Sequence, residues 1–286
     1  MSGGGQIVVT GEFRDAFTFN GASLISTIDP FTQLPGTDVF ISAMAPDGTP
    51  LWNKQGVAPR DDAAVAITHD ASGAIYATGQ FSDTITFDLP HLNTWNDAIF
   101  LMKLDAAGTE QWFRRSGGGI LNQGRDLLWR APDDLVLLGS VRGIMSFEDG
   151  SPDQVTSFAQ DSYFLLRADV QGTFEAATVM PSDSDVDPTS LATVADTLIV
   201  LGDFECQFTG LSDLYDDGLF LAVGMPDIFI SKHRYSDLDF LEAQQIGGRG
   251  EKRAGRIAAK SDGHVLFCGS FSGLIIYPSN GDLLAE

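Results

Sequence analysis

Apolar residues along the chain fall in short runs separated by Asp, Ser and Gly turns, with no 3.6-residue stripe or cap pattern of an amphipathic helix. Around Gly79 the pattern is Val65-Ala-Ile67, then the turn Asp70-Ala-Ser-Gly73, then Ile75-Tyr-Ala77. An apolar run, a turn in which Gly supplies positive φ, and a second apolar run predict a β-hairpin. Other runs do not alternate: Leu135-Val-Leu-Leu138 and Leu198-Ile-Val-Leu201 are apolar throughout, as expected of strands covered on both faces. The chain is expected to be all-β.

The hairpin phrase recurs. Its clearest second copy is Ile257-Ala-Ala-Lys-Ser-Asp262-Gly263-His-Val265-Leu-Phe-Cys-Gly269-Ser-Phe271, and a headless copy, Gln6-Ile-Val-Val-Thr-Gly11-Glu-Phe13, opens the chain. The anchoring glycines are Gly11, Gly79, Gly139, Gly202 and Gly269, spaced 68, 60, 63 and 67 residues apart. Between them lies a second phrase, Asp38-Val-Phe40, Asp97-Ala-Ile-Phe100, Asp161-Ser-Tyr-Phe164 and Asp227-Ile-Phe229. Eight residues after each Phe stand Gly48, Gly108, Gly172 and Asp237; twelve after it stand Trp52, Trp112, Ala176 and Leu241. Each period thus holds two hairpins and a short strand such as Thr84-Ile-Thr-Phe87 or Phe17-Thr-Phe19. Four antiparallel strands per tandem copy is the content of a β-propeller blade. The expectation is a single propeller domain over 1–286, with repeats at about 5–62, 63–124, 125–187, 188–253 and 254–286. Both ends carry the same inner strand, at 7–11 and 265–269, so the reading is five blades with one incomplete, or a fragment of a larger ring. A β-sandwich would leave a period above sixty unexplained.

Several phrases resemble the bacterial SBBP-type β-propeller repeat proteins. They are Asp70-Ala-Ser-Gly73-Ala-Ile75-Tyr76…Thr78-Gly79…Phe81, Asp97…Phe100-Leu-Met-Lys103-Leu104-Asp105-Ala-Ala-Gly108…Trp112, and the pairs Gly117-Gly118 and Gly247-Gly248. The resemblance implies a secreted or cell-surface protein of a family whose members mostly have no assigned activity. The opening residues show no charged segment, long apolar segment or small-residue cleavage site, so the sequence as it stands reads as cytoplasmic or as starting part-way through a longer chain.

Seventeen Lys and Arg stand against 39 Asp and Glu among 286 residues, a formal net charge of −22. Phosphate backbones need clustered cations, so nucleic acid is not an expected partner. No stretch approaches the ~20 apolar residues of a membrane-spanning helix.

Searches for chemistry return little. Gly269-Ser-Phe-Ser-Gly273 puts Phe271 where a nucleophile would stand, no phosphate-binding loop or dinucleotide fingerprint is complete, and His69, His91, His233 and His264 lack metal-ligand spacing. No catalytic or cofactor-binding residue is expected. Cys206 and Cys268 read as two buried thiols, with a disulfide as the other reading. Asp183, Asp185 and Asp187 place three carboxylates at alternate positions, as a calcium loop would, but Pro188 stands where such a loop needs Gly. A solvated loop is the competing reading, there and for Asp213, Asp216 and Asp217. Asp38, Asp97, Asp161 and Asp227 read as structural acceptors of backbone N–H groups. Phe13, Phe81, Phe204 and Phe271, with Val141 in the third copy, read as core between blades, and as a sugar-stacking ring in the alternative. The functional expectation is a monomeric, non-catalytic binding module taking a protein or glycan on the loops at 20–35, 88–96, 148–160 and 211–224. The alternative is a carbohydrate-active hydrolase or lyase with a carboxylate pair in a central pocket.

Overall fold

A computed structural model describes residues 5–92, 98–118, 120–147, 155–180, 182, 185–205, 207–208, 220–221 and 226–273. Every regular element among them is a strand, and the strands follow the sequence copies. The first copy holds β1 (Ile7–Arg14), β2 (Ala16–Phe19), β3 (Ala22–Ile25), β4 (Thr37–Met44) and β5 (Pro50–Gly56). The second holds β6 (Ala63–His69), β7 (Ile75–Phe81), β8 (Thr84–Thr86), β9 (Pro90–Leu92), β10 (Ala98–Leu104) and β11 (Glu110–Gly117). The third holds β12 (Leu121–Arg130), β13 (Asp134–Phe147), β14 (Val155–Asp169) and β15 (Phe174–Met180). The fourth holds β16 (Val186–Val194), β17 (Thr197–Phe204), β18 (Gln207–Phe208), β19 (Phe220–Leu221), β20 (Asp227–Arg234) and β21 (Phe240–Ile246); β22 (Lys252–Ala259) and β23 (Val265–Phe271) begin a fifth.

The second and fourth copies form the same antiparallel meander, β6-β7-β10-β11 and β16-β17-β20-β21. The first copy, which lacks a leading strand, is β1-β4-β5. In the third copy β12, β13, β14 and β15 pair in succession, and β11 joins β13 through Ser116 and Gly117 alone. The short strands expected to stand singly are instead halves of hairpins, β2-β3, β8-β9 and β18-β19, inserted at the same point of three copies. In the third copy that point is crossed by the long strands β13 and β14. The copies begin near residues 121, 186 and 252, a few positions before the boundaries drawn from the sequence.

The register explains why both phrases recur. Gly11 lies opposite Phe40, Gly79 opposite Phe100, and Gly202 opposite Phe229. A Cβ at Gly79 would stand 2.7 Å from Phe100 Cε1 and collide with the Ala63 carbonyl; at Gly202 it would stand 2.6 Å from Phe229 Cε1. The glycine is small because the phenylalanine ring of the neighbouring strand lies across it. The Asp-Gly turns form as read: Oδ1 of Asp105 and of Asp169 each accepts two backbone N–H groups, and Gly108 and Gly172 follow at φ 82° and 85°. The tryptophans lock these turns. Trp52 Nε1 donates to Ala106 O at 3.1 Å with its ring under Gly108, and Trp112 Nε1 donates to Val170 O at 3.1 Å with its ring under Gly172. Each Trp thus holds the turn of the following copy.

Contacts gather the chain into two compact units, Met1–Leu137 with Ile144–Gln154 and Arg167–Glu175, and Leu138–Gly143 with Val155–Leu166 and Ala176–Glu286. In the first, Val39, Ile41, Ile75, Phe81, Ile85 and Phe100 lie in one core; in the second, Ala192, Ile199, Leu201, Ile228, Ile246 and Ile257 do. Within each unit the leading strand of one copy contacts the leading strand of the next, β6 with β12 and β16 with β22.

Candidate functional site

The most distinctive polar chemistry lies where one copy passes to the next. Asp38 opens β4 opposite Phe13, and Asp227 opens β20 opposite Phe204. Both are buried, and in both Oδ2 accepts a hydrogen bond from a glutamine of the following strand: Gln55 Nε2 at 2.7 Å and Gln245 Nε2 at 2.6 Å. Asp38 Oδ2 also accepts from Thr27 N and Oγ1. The chain then leads into β6 and β22, where the amides of Asp62 and Lys252 donate to the carbonyls of Thr37 and Pro226, the residues just before those aspartates. Asp62 and Lys252 are therefore structural equivalents.

Their chemistry is opposite. Lys252, fully buried, donates from Nζ to Asp227 Oδ1 at 2.7 Å, Gly248 O at 2.9 Å and Gly250 O at 2.7 Å. Its three protons are all used, the condition under which a buried ion pair is tolerated. Asp62 brings a second carboxyl instead. Its Oδ1 accepts the Ser82 amide at 2.9 Å, while its Oδ2 and Asp38 Oδ1 have no hydrogen-bond partner among the described residues. The two side chains belong to residues 1% and 0% exposed. Burial pushes the Asp62 carboxyl up to about 8, against the Ser82 amide, and the charges of Asp38, Asp61 and Asp83 add to the rise. Burial also raises Asp38, opposed by Gln55, Thr27 and, more weakly, the Ala58 amide, which does not complete a bond to Oδ1.

Near this pair opens a cleft of about 90 Å³ lined by Asp61, Gln80, Ser82, Asn122 and Gln123 together with Phe81 and Leu121. Its polar groups are amides, a hydroxyl and a carboxylate beside two apolar side chains, suited to a small group with a polar end. The loop at 20–35 is different in character. Asp29 Oδ1 accepts the amides of Phe31 and Thr32 at 2.6 and 3.0 Å, and Ile28 bridges to Pro35. Those amides hold the Asp29 carboxyl below its usual range. The ordered loop nevertheless presents Ile25, Ile28, Phe31 and Leu34 to solvent at 73, 51, 74 and 61% exposure. The Arg60 guanidinium lies 5.0 Å from the Phe31 ring centroid.

Of the carboxylates singled out as a calcium loop, Asp183 lies outside the described residues. Asp185 pairs with Arg142 at 3.1 Å and Asp187 stands on β16 opposite Asp203. Asp213, Asp216, Asp217, Cys206 and Asp97 also lie outside the described residues. Cys268 is an exposed free thiol, correcting its expected burial: β23 places it where little covers it. Phe13, Phe81, Phe204 and Val141 are buried as expected, but Phe271, on the same poorly covered strand, is 46% exposed. The recurring aspartates fall into two registers, correcting their common reading. Asp38 and Asp227 precede Phe by two residues, whereas in the second copy Ala98 holds that position opposite Phe81. Asp161, one residue further out, pairs with Arg142 at 2.6 Å.

The histidines have separate partners. His91 stacks on Phe113 at 3.8 Å and meets Glu110 Oε1 at 2.9 Å, His69 meets Asp70 O, and His264 meets Asp262. His233 is buried with Tyr163 Oη 2.9 Å from Nε2 and Leu238 O 3.2 Å from Nδ1, and Ser231 Oγ lies 2.8 Å from the same tyrosine hydroxyl. Desolvation lowers His233 to about 4. It is a neutral imidazole in a closed polar cluster, which no substrate reaches. Among the described residues no group of three His, Cys, Asp or Glu could hold a metal, and no helix is long and apolar enough to cross a membrane.

Asp62 and Lys252 escaped the sequence reading although each stands seventeen residues before an anchor glycine, Gly79 and Gly269. The offset alone would have aligned them. No protein-family model matches the chain, and no curated protein matches it.

Proposed function

We propose that the chain is a non-catalytic β-propeller, related to the SBBP-type repeat proteins, that acts outside the cell or at its surface as a protein-binding module. Supporting the propeller are the copied meander, the Trp locks from the first and second copies to the next turn, and leading strands that meet leading strands. Supporting a binding role, and carrying the reading, is the apolar group Ile25, Ile28, Phe31 and Leu34 on an ordered loop. Apolar side chains clustered on a structured loop are the usual mark of a docking surface. The net charge of −22 favours a neutral or basic partner.

A screen of the full chain against arrayed proteins and glycans, beside a Phe31→Ser/Leu34→Ser variant, tests this. Expected is a protein hit that the variant loses at unchanged melting temperature. Turnover of any glycan, or binding to heparin or DNA at physiological salt, overturns it.

A further inference from the structure

We infer that the passage from the first copy to the second holds a calcium ion between Asp38 and Asp62. The fourth copy displays what that position requires. There Asp227 gives Oδ2 to Gln245 and Oδ1 to a cation, the Lys252 ammonium, which also takes the carbonyls of Gly248 and Gly250. Asp38 keeps half of this arrangement, with Oδ2 on Gln55 and Oδ1 buried and unpartnered. Asp62, in the lysine's place, brings a second buried and unpartnered oxygen, Oδ2, and no positive charge.

The carbonyl four residues earlier is part of the same pattern. Lys252 donates to Gly248 O, and in the third copy Asn122, seventeen residues before Gly139, donates from Nδ2 to Gly118 O. At the same offsets the first copy has Ala58 and Arg60 where the later passage has Gly248 and Gly250 at positive φ, and Asp62 is a carboxylate with nothing to donate.

Two buried carboxylates are hard donors that carry two negative charges, to which a calcium ion adds carbonyl and water oxygens to complete its shell. Magnesium gives up water reluctantly and demands octahedral ligands, so a position between two buried carboxylates suits it less. The nearby cleft is edged by Asp61 and Ser82, the neighbours of Asp62 in chain and in space. The apolar loop touches this site through Thr27, which donates to Asp38, but ion binding and protein docking are read separately, so failure of one proposal leaves the other standing.

The experiment is calorimetric titration and thermal melting of the chelator-stripped full chain with calcium, magnesium or sodium. Expected is one calcium bound per chain, with a melting temperature higher in calcium than in chelator and little response to the other ions. Asp62→Lys supplies the ammonium in place of the ion, so it should fold, bind no calcium and melt identically with and without it. Asp62→Asn should weaken binding beyond the roughly 10–100-fold lost with an outer-shell partner. Wild-type melting that ignores calcium, as a proton shared by the two carboxyls would give, overturns the inference. So does calcium binding that survives Asp62→Lys and disappears in Asp183→Asn/Asp185→Asn.

Discussion

At the scale of single residues, what surrounds an anchor glycine decides how strictly glycine is needed. Gly79 lies between two strands, and its missing Cβ would meet Phe100 on one side and the Ala63 carbonyl on the other. Backbone cannot yield as a side chain can. Gly11 sits on β1, in the copy without a leading strand, and a Cβ there would approach only the Phe40 ring, at 3.0 Å. Gly79→Ala should therefore cost about 3 kcal/mol or more, and Gly11→Ala about 1 kcal/mol, read from urea melts. Equal costs would mean that the phenylalanine and not the leading strand sets the requirement. The same contrast shows what the sequence disclosed. Both halves of the Gly–Phe contact were visible as repeated phrases, yet only the strand register shows that one repeat causes the other. The aspartates carried a false signal. Asp-x-Phe and Asp-x-x-Phe look alike as text, but in a strand a one-residue shift moves the side chain to the opposite face.

Among elements, the connections from one copy to the next were the least legible. Hairpins and their Asp-Gly turns could be read because turn chemistry is local. The inserted hairpins were half missed: β2 and β8 carry Phe17-Thr-Phe19 and Ile85, but their partners β3 and β9 are short, largely exposed strands with no such signal. The tryptophans were recognised as in register, and their partners, 54 and 58 residues away, were not. Trp112 is half-buried rather than enclosed, because it lies over the next turn as a lid. Trp112→Ala should accordingly cost about 2–3 kcal/mol, at the low end for a large aromatic. Trp112→Phe, losing mainly the bond to Val170 O, should cost about 1 kcal/mol in the same denaturant melts. A Trp112→Ala loss below that of Trp112→Phe would show that the ring contributes no packing. Where the third copy has Ala176 in place of Trp, the fourth copy's turn has lost its Gly as well: Leu238 takes the positive φ, at 63°. The turn persists without the lock, closed by the Leu238 amide on Arg234 O.

For the molecule as a whole, two buried groups in the second unit titrate in opposite senses. Desolvation raises the Asp203 carboxyl to about 6, against the Ala254 amide at 2.5 Å and Arg253, with Asp187 and Glu251 adding to the rise. Between the ordinary aspartate value of 3.8 and about 6, the folded chain holds this proton and the unfolded chain does not, so acidification through that window stabilises the fold. His233 does the reverse. Between 6.5 and about 4 the unfolded chain takes up a proton that the buried imidazole refuses, so the same acidification destabilises. At pH 5 the two contributions are of order +1 and −2 kcal/mol relative to neutrality. They largely cancel, and relief of repulsion among the excess carboxylates narrows the difference further. Within the second unit the two thus offset each other between pH 7 and 5, while Asp62 in the first unit, raised to about 8, adds stability over the same window, so the wild-type chain should gain stability on acidification. Asp203→Asn keeps an oxygen for the Ala254 amide and removes the titration, so it should raise stability at pH 7 and gain about 1 kcal/mol less than the wild type by pH 5. His233→Gln should depart from the wild type in the opposite sense, gaining about 2 kcal/mol more than it as pH falls to 5. Urea melts at half-unit steps of pH distinguish the three chains, and parallel profiles would mean that Asp203 titrates where an exposed aspartate does and that solvent reaches it.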